Sequence, residues 1–278
     1  SGAKGTVLIF PGRTEYIEKY GGAAQAFSRH GYSSVVVDWR GQGLADRLQS
    51  DRSRGHVINF TDYQYDVQAM LRATDTIGLP KPYYLVAHSM GGCIALRALM
   101  QKIPVQAASF SAPMWGIAFH SPAKRIMAWG LSTLANPFAL SEIRAPGTSS
   151  TAYVATEPFA TNTLTSDAPM FAQMNAHLEA IPDWALAGPS LRWLNEALCE
   201  MRRLHYRPSP NYPALCYLGS EENIVDPRRI RSRIARWPGA RLEPMAHAKH
   251  EIMMELPEHR DTFYAQTSAF FDAHNPMA

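Results

Sequence analysis

Short apolar, β-branched runs alternate along this chain with longer stretches of helical spacing. Thr6-Val7-Leu8-Ile9-Phe10 reads as a core strand closed by Pro11-Gly12, and a helix follows from about Ile17 to His30, stopped by Gly31. Ser34-Val35-Val36-Val37-Asp38 is a second buried strand, opening into the glycine-bearing loop Trp39-Arg40-Gly41-Gln42-Gly43. Thr61 is placed to cap a helix running to about Ile77, where Gly78 and Pro80 break it. Tyr83-Tyr84-Leu85-Val86-Ala87 has the composition of a strand buried on both faces. It breaks at His88-Ser89-Met90-Gly91-Gly92 and resumes as a helix-forming run from Cys93 to Met100, before a fourth strand from Val105 to Ser111. Strands alternating with helices in this way imply parallel pairing and right-handed crossovers, hence an α/β fold with a mostly parallel sheet flanked by helices.

The rhythm changes between about Ala112 and Tyr212, where β-branched runs are few. Ala123, Ile126, Met127, Gly130, Leu131 and Leu134 fall at helical spacing, as do Leu191, Leu194, Leu198 and Met201 after Pro189, taken as a first helical position. Alternation returns with a strand at Ala214–Leu218, a helix from Pro227 to Trp237, a strand at Arg241–Met245 and a helix from Glu258 to Ala273. The expected organisation is a core in two parts, residues 1–112 and 213–278, interrupted by a helical insertion over 113–212.

Composition narrows the class. With 278 residues, 46% hydrophobic and 18% charged, the chain can bury a large core and is not a disordered protein. A net charge of +3 with scattered Lys and Arg gives no basic stripe, which argues against nucleic-acid binding. Three cysteines, Cys93, Cys199 and Cys216, without CxxC spacing argue for buried thiols in a reducing compartment, not for a disulfide framework or a zinc site. The N-terminus, Ser1-Gly2-Ala3, leads toward a strand without the pattern of a signal peptide, so a cytoplasmic location is expected. No metal, no redox cofactor and no nucleic-acid partner is expected, and composition is silent on oligomeric state.

Candidate chemistry centres on Ser89. A strand, a tight turn carrying a serine between small residues, then a helix is the context of a nucleophile elbow; Ala87 occupies the position usually held by the first glycine. A serine hydroxyl needs a general base, itself oriented by a carboxylate. Two segments following late strands supply them, because sites in parallel sheets lie at the carboxyl ends of strands. The first, Gly219 to Pro227, contains Glu221, Glu222 and Asp226, of which Asp226 is the preferred acid; the second, Ala246 to Glu251, contains His247 and His250, which spacing alone does not separate. The oxyanion donors are assigned to the backbone N–H groups of Met90 and Arg13.

These stretches together resemble the α/β-hydrolase superfamily, in the branch of monoacylglycerol lipases and bacterial lysophospholipases. The resemblance rests on Pro11-Gly12-Arg13-Thr14-Glu15 with Tyr20, Asp38 to Gly43, His88 to Gly92, Ala248-Lys249-His250-Glu251, Arg54-Gly55-His56-Val57 and Asp62-Tyr63. It implies His250 as base, Asp226 as acid and a fatty-acyl pocket shaped by a helical cap, here with Trp115, Phe119, Trp129, Phe171 and Trp193 as its lining candidates. Two departures stand out: Pro11 replaces a histidine common in relatives, and the chain starts at what is normally the third strand of the fold. The expected reaction is hydrolysis of a carboxylic ester of a lipid, lysophospholipid first and monoacylglycerol or a general carboxylic ester second. Transient contact between the cap and the inner face of a membrane is the implied surface interaction. A catalytically silent lipid-binding homologue is the rival from another class.

Overall fold

The computed structural model describes residues 4–276; Ser1, Gly2, Ala3, Met277 and Ala278, which the sequence reading assigned to the ends of the core, lie outside the described residues. The elements in order are β1 (Thr6–Phe10), α1 (Gly21–Arg29), β2 (Ser33–Val36), α2 (Tyr63–Ile77), β3 (Tyr83–His88), α3 (Met90–Met100), β4 (Val105–Ser111), α4 (Pro122–Ala135), α5 (Tyr153–Thr156), α6 (Ala168–Ala180), α7 (Leu191–Tyr206), β5 (Ala214–Gly219), α8 (Pro227–Ile234), β6 (Ala240–Met245) and α9 (Pro257–Asp272). The six strands form one sheet in the order β2-β1-β3-β4-β5-β6, and every neighbouring pair is parallel.

Period-two alternation divides each central strand between two cores. Val7, Ile9, Tyr84 and Val86 face a layer containing Phe27 of α1 and Phe263 and Phe271 of α9. Leu8, Phe10, Leu85 and Ala87 face the other layer, with Val67 of α2, Ile94 of α3 and Ile230 of α8. Both faces are therefore covered, which is why β1 and β3 read as unbroken apolar runs. The two outer strands differ. β2, expected to be buried, is half-buried along its length because it forms one edge. β6 forms the other and accommodates Pro244, whose missing N–H is tolerated at an edge.

Helix starts were the least accurate part of the sequence reading. The stretch from Ile17 splits into a 3₁₀ turn (Ile17–Tyr20) and α1. Asn59, not Thr61, starts the next helical stretch through a capping box with Asp62. Ser190 caps α7 by accepting from the Trp193 N–H at 3.0 Å, so Pro189 precedes the cap.

Between β4 and β5 the described residues contribute helices and no strand of the sheet. Within this segment α4 packs on α7. Its return is tied to the core side by a parallel bridge between Gly55 and Pro189 and by His56 Nδ1, 2.8 Å from Ser190 Oγ. No helix among the described residues is long and apolar enough to cross a membrane.

Candidate active site

Ser89 sits between β3 and α3 with φ 48° and ψ −118°, a strained conformation for a non-glycine residue. The turn is over-determined by its surroundings. Ser89 N–H donates to the Ser111 carbonyl (3.1 Å), and the Ser89 carbonyl accepts from Gly92 N–H (2.9 Å) and Met114 N–H (2.8 Å). A Cβ at Gly91 would run into the carbonyl oxygens of Phe10 and Pro11, and one at Gly92 into Pro113. These contacts explain the small residues after the serine: the loop that follows β1 lies directly against the elbow.

That loop is held from three sides. Trp39, fully buried, donates its Nε1–H to the Pro11 carbonyl (2.9 Å), and Gln42 Nε2 donates to the Gly12 carbonyl (2.8 Å). Gly12 N–H and Tyr20 O–H both donate to Glu15 Oε2. Among the described residues neither Arg13 N–H nor Met90 N–H donates to another group. Met90 is the first residue of α3, where intrahelical partners are lacking by geometry.

His250 and His247 are separated by burial. His250 is 3% exposed, whereas the His247 side chain is 88% exposed and only 3.8 Å from the exposed Glu221. His250 Nδ1–H donates to Glu222 Oε2 at 2.8 Å, leaving Nε2 for the cavity that both Ser89 and His250 line. Glu222 Oε1 accepts from the N–H groups of Ile224 (2.7 Å) and Val225 (3.0 Å). Burial raises the Glu222 carboxyl, but the His250 ring and these two amides outweigh it and hold it below the ordinary carboxylate range. Burial likewise lowers His250, yet Glu222 opposes this and leaves the imidazole above its ordinary value.

The carboxylate beside His250 is thus Glu222 and not Asp226, a correction to the sequence reading. Asp226 is the N-cap of α8: it accepts from Arg228 N–H at 2.9 Å, with Pro227 at the first helical position. An Asp-Pro pair opening a helix is a capping signature, and capping is the role Asp226 has here. Position decides the matter physically. Glu222 lies in the turn just beyond the end of β5, while seven residues after Gly219 the chain has already entered the next helix.

Beneath His250 lies a charged cluster that pattern reading missed. Lys19 is salt-bridged to Glu15 (2.6 Å) and Glu251 (2.5 Å), all three side chains being buried. His88 donates Nδ1–H to the Ser111 carbonyl (3.0 Å), places Nε2 3.7 Å from Glu15, and packs its ring 4.7 Å from that of His250. Burial acts to raise Glu15, but the Lys19 ammonium, His88 and the hydrogen bonds of Lys19 and Tyr20 hold it well below the usual carboxylate range. Burial lowers His88 against the opposing pull of Glu15 and Glu251. Glu15, Tyr20, His88 and Glu251 all lie in the stretches that carry the family resemblance, and the i, i+4 spacing of Glu15 and Lys19 is a further signal. Glu15, His88 and Glu251 are close enough together to hold a metal ion, but Lys19 already occupies both carboxylates.

The site opens on a cavity of about 670 Å³. Of the proposed lining residues, Phe119 and Trp193 face it. Trp115 does not; it is buried against Phe110 and donates Nε1–H to the Gly92 carbonyl at 3.0 Å. Trp129 packs against the core beside the α4–α7 contact, and Phe171 packs against Phe159, both away from the cavity wall. Met127 and Met174, also among the apolar residues the sequence offers for the groove, line it together with Leu131, Leu178 and Leu186.

Comparison with known proteins agrees with this architecture. A family model described as "Serine aminopeptidase, S33" matches residues 1–257. The chain is 29% identical to Lysophospholipase L2 of Escherichia coli over 282 residues, covering 97% of this chain and 81% of that protein. Among solved structures it resembles a soluble variant of monoglyceride lipase from Saccharomyces cerevisiae (TM-score 0.77, 21% identity, 99% of this chain and 88% of that one). It also resembles a monoacylglycerol lipase from Paleococcus ferrophilus (TM-score 0.72, 18% identity, 99% and 96%).

Proposed function

Because the chain belongs to the Hydrolase_4 family of serine aminopeptidase S33 type, and is a lipid ester hydrolase of the α/β-hydrolase fold, we propose that it removes the acyl chain of lysophospholipids through Ser89, His250 and Glu222. The observation that carries this reading is a strained elbow serine and a buried Glu222-oriented histidine on the wall of one large apolar cavity.

His250 Nε2 takes the Ser89 proton as Oγ attacks the ester carbonyl. Glu222 stays ionised, fixes the Nδ1–H tautomer and stabilises the imidazolium. The carbonyl oxygen, now negative, sits between the Met90 and Arg13 N–H groups, each such donor contributing about 10²–10³ in rate. His250 then protonates the departing glycerol oxygen, and water, activated by the same ring, releases the fatty acid and restores Ser89. The helical segment between β4 and β5 acts as the cap over the acyl chain. Its exposed Ile126, Leu134 and Phe138 lie against the lipid surface from which substrate enters.

An aminopeptidase reading lacks its anchor. A free N-terminal ammonium needs an unpaired carboxylate, and both acids lining the cavity, Glu15 and Glu251, are bound to Lys19. The test is a hydrolysis panel of lysophospholipid, monoacylglycerol, short p-nitrophenyl esters and aminoacyl amides, together with fluorophosphonate labelling. Lysophospholipid and monoacylglycerol cleavage with labelling confined to Ser89 supports the reading; aminoacyl amide cleavage without lipid cleavage refutes it.

A further inference from the structure

Arg13 enters the mechanism through its backbone alone, and its side chain is the feature left over. The guanidinium reaches along the cavity wall, where Nη2 donates to the Ala187 carbonyl and the group lies 5.1 Å from the centre of the Trp193 ring. Gly55 is without a side chain where Arg13 Nη2 passes, since a Cβ there would stand 2.5 Å from that atom. A guanidinium carries five N–H donors. Here one carbonyl is the recorded acceptor, Nε is buried without a partner, and among the described residues no carboxylate pairs with the charge. A like charge, Arg144, acts against it and is itself paired with Asp51 at 3.1 Å. Burial lowers Arg13 only to about 10, so it remains cationic at neutral pH.

A desolvated, unpaired guanidinium is costly, and a chain that keeps one beside a ligand cavity has an anion to offer it. From these contacts we infer that the Arg13 side chain binds the phosphate of the lysophospholipid head group, an inference that rests on the proposed function above. The geometry is intrinsic to one residue. The Arg13 N–H addresses the ester oxygen, and its side chain spans a length comparable to the glycerol that separates ester from phosphate. Planar, forked donors suit phosphate oxygens, and the Trp193 face holds the fork in orientation. A neutral monoacylglycerol uses the same acyl cavity and leaves Arg13 unpaired. Arg13 is thereby the residue that ranks the two substrates.

The experiment compares kcat/KM for 1-palmitoyl lysophosphatidylethanolamine and for 1-palmitoylglycerol in wild type, Arg13→Met and Arg13→Lys. Arg13→Met is expected to lower the phospholipid-to-glyceride ratio about tenfold to a hundredfold, with Arg13→Lys keeping most of it. An unchanged ratio in Arg13→Met, with both substrates slowed alike, overturns the assignment and leaves Arg13 as a tether to Ala187. The wild type supplies a second readout that no folding defect can spoil: protection of Ser89 from fluorophosphonate by dodecyl phosphate, dodecanol and inorganic phosphate. Dodecyl phosphate should protect at least about tenfold better than dodecanol, with inorganic phosphate weak; equal protection by the first two overturns the assignment. If wild type cleaves neither lipid, the functional reading fails, while the protection ratio still decides whether the cavity holds an anion.

Discussion

On the sheet side of the cavity, Glu15, Lys19, His88, Glu222, His250 and Glu251 are buried, and each has a partner within the fold. On the helical side, Met127 and Leu131 are 52% and 40% exposed and line the same cavity with apolar carbon. The first wall works by polar satisfaction: buried charges admit one geometry, because any misplacement leaves a group unpaired at a cost of several kcal/mol. The second works by area and shape, which change gradually with each side chain. The two walls divide the labour accordingly. In the proposed reaction the sheet side would determine whether an acyl group is transferred, and the helical side which one.

That division is open to attack at several strengths. Ser89→Ala should lower kcat by about 10⁴–10⁶ with an unchanged circular dichroism spectrum, since the remaining site retains binding and oxyanion donors only. Retention of more than a hundredth of the activity would place the nucleophile elsewhere.

Glu222→Gln should cost about 10³–10⁴ in kcat, whereas Asp226→Asn should stay within a few-fold, because Asn caps a helix as well as Asp. The pH profile sharpens this pair. His250 must be neutral to act as base, and Glu222 holds its pKa above the ordinary histidine value, so the acidic limb of kcat/KM lies above that value in wild type. Loss of the carboxylate charge removes stabilisation of the imidazolium, and the limb should move to lower pH in Glu222→Gln but not in Asp226→Asn.

Lys19→Met leaves Glu15 and Glu251 buried without their cation. Thermal unfolding should register a loss of about 3–5 kcal/mol, on the order of 10 °C. A change under about 2 °C would mean that pairing with Lys19 contributes little to holding the two buried carboxylates. The smallest effect belongs to the other wall. Met174→Ala should lower kcat/KM for a long-chain ester about three- to tenfold relative to an acetyl ester, in proportion to the methylene contacts removed. Equal changes on both esters would deny the helical wall its part in acyl selection.

Local signals carried far into this structure. The strands came from unbroken apolar runs, and the tight turn at Ser89 from a serine flanked by small residues between a strand and a helix. Such features are written in neighbouring residues, whose sterics act over one turn or one strand. What the sequence could not decide was which of several plausible groups faces inward. Asp226 and Glu222 share one loop, and Trp115 and Met174 share one insertion; only the packed structure turned Glu222 to His250 and Met174 to the cavity. Burial of the Glu15–Lys19–Glu251 cluster and the isolation of the Arg13 guanidinium were hidden for the same reason. Their partners lie up to 232 positions apart in the chain. The sequence alone determined an α/β scaffold with a serine in a tight turn at a strand's carboxyl end. Tertiary packing alone chose the carboxylate beside His250, the cavity wall and the unpaired charge, because desolvation and pairing depend on distances that exist only after the sheet has closed.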